Sequence, residues 1–344
     1  MSKTGFFTSV FAIILLVSFP ILFSSVNIAS FKSESNLEKA ASYLISMYSP
    51  TLGLVANSED KGSNPYGEGV PCDRTYWVYD DNLWAGWALQ PFDTSIAENI
   101  TKTVQRYTSI YGRSMLFEAA IGEPVPTTIH SGKNIKVYDG SVNGSRVQVL
   151  LDRHQYADNP TGIFDDAKGY ADLCFYMTID YWMMGDTNAS DHWFRTGEAL
   201  WNSTTNIGFY DKQVGIDSRY QNFKLGLFLL GQRVTGFQSN ITGEVETAAW
   251  SCQNGLGGIT TQSWLNGSSY GTANAETTSA LLLSYNDNLT ERLHNRQTYA
   301  EAQLEEALKA NDTLKNWVAV LLIITCVLAT LSFFLAIKIK RKFR

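Results

Sequence analysis

Residues Cys72 to Gln90 read CDRTYWVYDDNLWAGWALQ. An aromatic run (Tyr76, Trp77, Tyr79) meets a carboxylate pair (Asp80, Asp81). A helix-like apolar segment, Asn82 to Leu89, follows at once. Upstream, Leu37, Ala40, Ala41, Leu44 and Tyr48 mark one face of a helix. Ser49-Pro50 ends it, and Gly53-Leu54-Val55 forms a turn before a Gly- and Pro-rich loop. The plan is therefore an outer helix, a Gly-apolar turn, a polar-aromatic loop and an apolar inner helix.

Three further copies follow. A helix over Thr94 to Tyr111 leads to Gly162-Ile163-Phe164, Asp165-Asp166 and an inner helix over Ala167 to Met184. A helix over Ser190 to Ser203 leads to Gly208-Phe209-Tyr210 and an inner helix over Ser218 to Val234, apolar nearly all round. The last copy has a helix over Gly243 to Cys252, the turn Gly257-Gly258-Ile259 and a helix over Asn274 to Tyr285. No such hairpin can bury its apolar face alone; stacking the copies and closing the row buries all four. Between Ile121 and Asp152 the period changes from helical to alternating. A β-hairpin insertion is expected there, with Asp139-Gly140 and Asn143-Gly144 in its turn.

The ends of the chain read differently. Trp317 to Ile337 carries no charge and is long enough to span a bilayer. The basic tail that follows (residues 338–344) belongs on the cytoplasmic side. Residues 1–30 read as a secretory signal or an uncleaved signal anchor. The sequence thus predicts an extracellular domain over 31–288, a helical stalk over 289–316, and one C-terminal span at the cell-surface membrane. Leu293, Leu304 and Leu308 are too few to demand a coiled coil, and oligomerisation through the stalk is left open.

Charge agrees with this layout. All 33 Asp and Glu fall in the middle region, against 21 of the 27 Lys and Arg. So acidic a surface argues against nucleic acid or anionic lipid as a partner. Eight Asn-x-Ser/Thr sequons, at Asn99, Asn143, Asn188, Asn202, Asn240, Asn266, Asn288 and Asn311, predict a glycoprotein. The four His are scattered and no CxxC occurs, so neither a metal site nor a cofactor is expected.

Gly257-Gly258-Ile259 with Asn274-Ala275-Glu276-Thr277-Thr278-Ser279-Ala280-Leu281, and Tyr79-Asp80-Asp81-Asn82-Leu83, resemble the α/α toroids, the group holding six-hairpin glycosidases, polysaccharide lyases and terpenoid cyclase barrels. The resemblance covers Leu37 to Tyr285 and implies a mainly α fold: an incomplete α/α toroid of four hairpins. In toroids the loops entering the inner helices share one rim around a central mouth. The resemblance thereby puts Asp80, Asp81, Asp165, Asp166 and Glu276 forward as catalytic carboxylates. It puts Tyr76, Trp77, Tyr79, Tyr170, Arg219 and Trp264 forward as a sugar-binding lining. Trp77 and Trp264 precede their helices and are expected to be exposed. The same architecture would bring Cys72 and Cys252 together as a disulfide, leaving Cys174 as the spare thiol.

Acids at helix starts also suit N-caps, and Asp80, Asp81, Asp166 and Asp217 all stand where a cap would. Two functions remain open. One is a membrane-anchored protein that binds glycans or builds the cell surface. The other is a glycan-active hydrolase or lyase held by the same anchor.

Overall fold

A computed structural model describes residues 36–58, 76–111, 115–123, 132–142, 145–154, 167–300 and scattered positions between 302 and 325. The chain is mainly helical, with three small sheets. Its helices are α1 (36–46), α2 (Tyr79–Ala88), α3 (Thr94–Tyr111), the short α4 (Met115–Glu118), α5 (Ala171–Met183), α6 (Thr187–Glu198), α7 (Lys212–Asp217), α8 (Phe223–Thr235), α9 (Thr242–Ser251), α10 (Ala275–Leu283) and α11 (287–300).

The repeat plan is visible in backbone pairing. After α1, β1 (Tyr48–Ser49) pairs antiparallel with β2 (Leu54–Val55), which is the first Gly-apolar turn. Isolated bridges do the same at Trp201–Phe209 and Gln253–Ile259. An inner-helix side chain then holds the turn. Asn82, fourth in α2, accepts from the Val55 amide at 2.6 Å and donates back to the Val55 carbonyl at 2.9 Å. Thr278, fourth in α10, accepts from the Ile259 amide at 2.9 Å. The equivalent turn at Gly162-Ile163-Phe164 lies outside the described residues.

Four helices form the centre. α10 packs between α2 and α8, and α8 packs on α5. Trp84 of α2 and Tyr176 of α5 meet at 6.2 Å between ring centroids, with Phe117 against both, so α5 returns to α2. The α8–α10 contact is close because Gly226 has no side chain: a Cβ there would lie 2.5 Å from the Ala280 carbonyl carbon. Helices α3, α6 and α9 pack against the inner four. The first and last units also touch. Tyr43 of α1 donates to the Ala273 carbonyl at 2.7 Å, and Gly257, at φ +96°, sits against the backbone of Lys39.

The sheets lie where the chain enters inner helices. β4 (Gly132–Val142) and β5 (Ser145–His154) form the expected antiparallel insertion, and β3 (Tyr76–Val78) adds to β5 in parallel. Of the two turn signals, Asn143-Gly144 separates the strands, while Asp139-Gly140 falls in an irregularity of register between Tyr138 and Ser141. A third sheet, not foreseen, orders β6 (Arg219–Gln221), β7 (Thr260–Trp264) and β8 (Ser269–Ala273). It takes residues that the apolar pattern had assigned to the helix expected over Ser218 to Val234, so α8 starts only at Phe223.

The helix expected as a solvated stalk begins docked. Leu289 and Leu293 of α11 are fully buried, and the Asn286 amide donates to the Trp87 carbonyl at 2.7 Å. Among the described residues no helix is long and apolar enough to cross a membrane. Most of the span expected over 317–337, and all of 1–35, lie outside them. Six sequon asparagines (Asn99, Asn188, Asn240, Asn266, Asn288, Asn311) are exposed. Asn202 is not: its amide nitrogen donates to the Tyr220 hydroxyl at 2.8 Å, the atom a glycan would occupy. Asn143 lies outside the described residues.

Candidate active site

The N-terminal ends of the inner helices meet at one end of the bundle, and their second residues are Asp80, Asp172, Lys224 and Glu276. One repeat position thus places a charged group from each unit at a common mouth. Electrostatic contacts join them. Lys224 bridges to Asp172, Glu276 acts on Asp81, and Tyr176 feels Asp172, Glu276 and Asp80.

The α5–α8 side is a closed ion network. The Lys224 ammonium, 2% exposed, lies 2.5 Å from Asp211 and 3.2 Å from Asp172. Burial pulls its pKa down, but the two carboxylates outweigh that and raise it, so the charge stays. Asp211 also accepts from the backbone amides of Ala171 and Gln213, tying α5 and α7 to the same carboxylate. A lone lysine inside the apolar run FKLGLFLL is the sequence signal that could have pointed here, since a buried ammonium requires acids around it.

The α2–α10 side gathers Asp80, Asp81 and Glu276. Asp80 and Asp81 are 3% and 4% exposed. Neither is an N-cap: Val78 holds that position in α2, with no side-chain cap bond, so the capping expectation fails for both. On α10 the cap is Asn274, which accepts from the Thr277 amide at 2.9 Å and leaves Glu276 uncommitted to capping. Burial and then the charge of Glu276 hold the Asp81 carboxyl well above its usual range; a hydrogen bond from Asn57 at 2.9 Å opposes them without prevailing. A carboxyl in the first turn of a helix normally favours ionisation. Burial, which disfavours the charged form, outweighs that preference here, and the charge of Glu276 adds to it.

The expected sugar-binding lining divides. Tyr76, Trp77 and Tyr79 are buried, Trp77 to 1% exposure, so they face the interior instead of solvent, and Tyr79 lines a cavity between α2, α3 and α11. β3 is the edge strand paired to β5 and runs straight into α2, where the hydroxyl of Tyr79 is bonded to Thr108. Tyr170 is half-buried beneath Lys212. Trp264 is exposed, as expected, and Arg219 lies over the rings of both Trp264 and Tyr270, 5.4 and 4.3 Å from their centroids, while the two rings meet edge to face. Gln262 accepts from the Arg219 guanidinium at 2.7 Å, which fixes its plane on the β6–β7–β8 sheet. Asp217 is no cap of α8; it ends α7 and accepts from the Arg219 amide and from Gln213. Asp165 and Asp166 lie outside the described residues.

Cys252 is a buried free thiol, bonded to the Ala248 carbonyl at 3.3 Å and facing Ser263, so the bridge expected for it is not made; Cys72 lies outside the described residues. Cys174 is a free thiol too, and burial pushes its pKa up to about 12. Among the described residues no group of His, Cys, Asp and Glu is arranged to hold a metal ion. The cavity between α2, α3 and α11, of about 400 Å³, is lined by two acids, the buried Glu118 and Glu123, the second paired with Arg292 and Arg296. Comparison with known protein families, with curated proteins and with solved structures gives no match to this chain.

Proposed function

We propose that the chain is a surface-anchored, glycan-active enzyme of the α/α toroid type, closed by four hairpins, with the carboxylates of the α2–α10 mouth as its reacting groups. The observation that carries this is the pair Asp81 and Glu276: burial first, and then the charge of Glu276, raise the Asp81 carboxyl well above its usual range, which favours a proton on Asp81. Two carboxyl groups held in opposite protonation states are what glycosidic bond cleavage requires. Asp81 gives its proton to the glycosidic oxygen as the bond from that oxygen to the sugar carbon breaks. In a hydrolysis, Glu276 takes a proton from water as the hydroxide adds to that carbon. Asp80, beside them, adds negative charge that favours a positive oxocarbenium-like transition state.

The return of α5 to α2 and of unit four to unit one supports ring closure. The six exposed sequons support an extracellular glycoprotein. The exposed apolar side chains Trp317, Val318, Leu321 and Leu322 support a membrane anchor over 317–337.

A non-catalytic glycan-binding or cell-surface structural role is the second reading. It is favoured by the ordered Trp264–Arg219–Tyr270 platform, where a sugar face can stack without chemistry. One experiment separates the two. The purified full chain and its Asp81→Asn variant are incubated with a panel of polysaccharides, and new reducing ends or unsaturated ends are counted. The enzyme reading expects cleavage by the native chain, reduced about 100-fold or more in the variant. Binding without cleavage hands the site to the second reading.

A further inference from the structure

The hairpin that joins β7 to β8 carries a glycosylation acceptor and an exposed ring two residues apart, in Trp264-Leu265-Asn266-Gly267-Ser268. Of the eight sequons, Asn266 alone has an aromatic residue two positions before it. Backbone bonds fix this turn. The Gly267 amide donates to the Trp264 carbonyl at 2.8 Å, and the Trp264 amide donates to the Ser268 carbonyl at 2.8 Å. Gly267 sits at φ +85°, in the left-handed region, so the strands are joined through a glycine bulge. Asn266 is exposed, and its side-chain oxygen accepts from the Ser268 amide at 3.0 Å and the Ser268 hydroxyl at 2.7 Å. Its side-chain nitrogen, the atom that takes a glycan, makes no hydrogen bond among the described residues. The ring is held in place as well. Trp264 is 39% exposed, meets Tyr270 edge to face at 4.9 Å and lies under the Arg219 guanidinium, which Gln262 orients. A ring already ordered loses little freedom when a sugar covers it. Two residues of chain span at most about 7 Å, so a sugar attached at Asn266 starts within reach of the indole.

We propose that Asn266 carries an N-linked glycan whose innermost sugar packs on Trp264, so that the Trp264–Arg219–Tyr270 platform is the docking site of the chain's own glycan. The C–H groups on one face of a pyranose carry slight positive charge and meet the negative face of the indole, and the contact removes apolar area of both from water. Covalent attachment raises the effective concentration of that sugar at the ring above that of any free saccharide. The inference rests on the extracellular-glycoprotein part of the reading above and uses nothing at the mouth. It also sharpens the second reading, by naming the first sugar that meets the platform.

The test uses the full chain in detergent, produced in a eukaryotic secretory host with N-acetylglucosamine labelled with carbon-13. Glycopeptide mass mapping should find Asn266 occupied. In the proton–carbon spectrum of the glycoprotein, one N-acetylglucosamine should resonate upfield of the others, displaced by the indole ring current. Its signals should vanish in Asn266→Gln, which assigns them, and move to the common position in Trp264→Ala. Leu265→Ala, which trims an equally exposed apolar side chain beside the acceptor, should leave them displaced. Enzymatic release of the Asn266 glycan from the folded chain should run about fivefold faster in Trp264→Ala than in the native protein. An unoccupied Asn266 beside occupied sequons, undisplaced signals in the native protein, signals unmoved by Trp264→Ala, or release no faster in that variant overturns the inference and leaves the glycoprotein reading standing. Absence of glycan from every sequon removes that reading, and this inference falls with it.

Discussion

The two halves of the mouth occupy the same positions in the same repeat, and they have been put to different uses. On the α5–α8 side, Lys224 neutralises Asp172 and Asp211, and Asp211 spends its remaining lone pairs on backbone amides. On the α2–α10 side, Asp81 stands next to Asp80, and burial and then the charge of Glu276 raise its pKa well above the usual range. A buried charge with its counterion holds a fold in register; buried charges of like sign store reactivity instead. The difference arises from one residue: lysine at the second position of α8, where the other inner helices carry acids.

Breaking the paired half should have the largest effect. Lys224→Met removes the buried ammonium that Asp172 and the buried Asp211 share and should cost about 3–5 kcal/mol, measured by denaturant unfolding. A cost under about 1 kcal/mol would mean Asp172 and Asp211 are not charged as described. Next comes the contact that brings the halves together. Gly226→Ala puts a methyl group against the backbone of Ala280 and Leu281 and should destabilise by about 1–3 kcal/mol. Its far-ultraviolet spectrum should stay helical, since alanine itself favours a helix.

The crowded half should respond in the opposite sense. The folded value of Asp81 lies above the ordinary 3.8, so the native state holds this proton more tightly than the unfolded chain. The stability it contributes is complete below pH 3.8 and is lost as pH rises through the raised value. Asp81→Asn cannot lose a proton and can still accept from Asn57. It should therefore gain on the native protein as pH rises from 4 to 8, by about 1.4 kcal/mol for each unit of the shift. A flat difference would show that Asp81 is ionised throughout. The smallest effect belongs to the rim: Trp264→Ala should change stability by no more than about 0.5 kcal/mol, because the ring is exposed, while weakening glycan binding.

Much of this architecture could be read from the chain. The three described Gly-apolar turns and the inner helices stand close to their expected places because burying a repeated apolar face imposes one period on the copies. The β insertion was legible for the same reason, from the switch to alternation between Ile135 and Leu151. Asp80, Asp81 and Glu276 were named as the acids to watch, but as rim groups or caps; that Val78 takes the cap position depends on where β3 ends, which local pattern does not fix. Trp77 read as exposed because it precedes a helix, and only the parallel pairing of β3 with distant β5 buries it. Asp172, Asp211 and Tyr176 were missed since each acquires its role from a partner on another element, Lys224 for the two acids and Trp84 for Tyr176. Lys224 and Asp172 become visible once the inner helices are aligned on their second residue. The bridge expected at Cys252 rested on closure of the ring alone, and proximity of units does not decide which face a thiol occupies.

Everything at the mouth rests on one proton. The most direct measurement is the infrared carbonyl spectrum of the native protein minus that of Asp81→Asn at neutral pH. Asp81 protonated beside a charged Glu276 predicts a protonated carboxylic acid band in the native protein that disappears in the variant. A difference spectrum containing only a carboxylate band would show Asp81 ionised, and the acid–base division of the α2–α10 mouth would not exist.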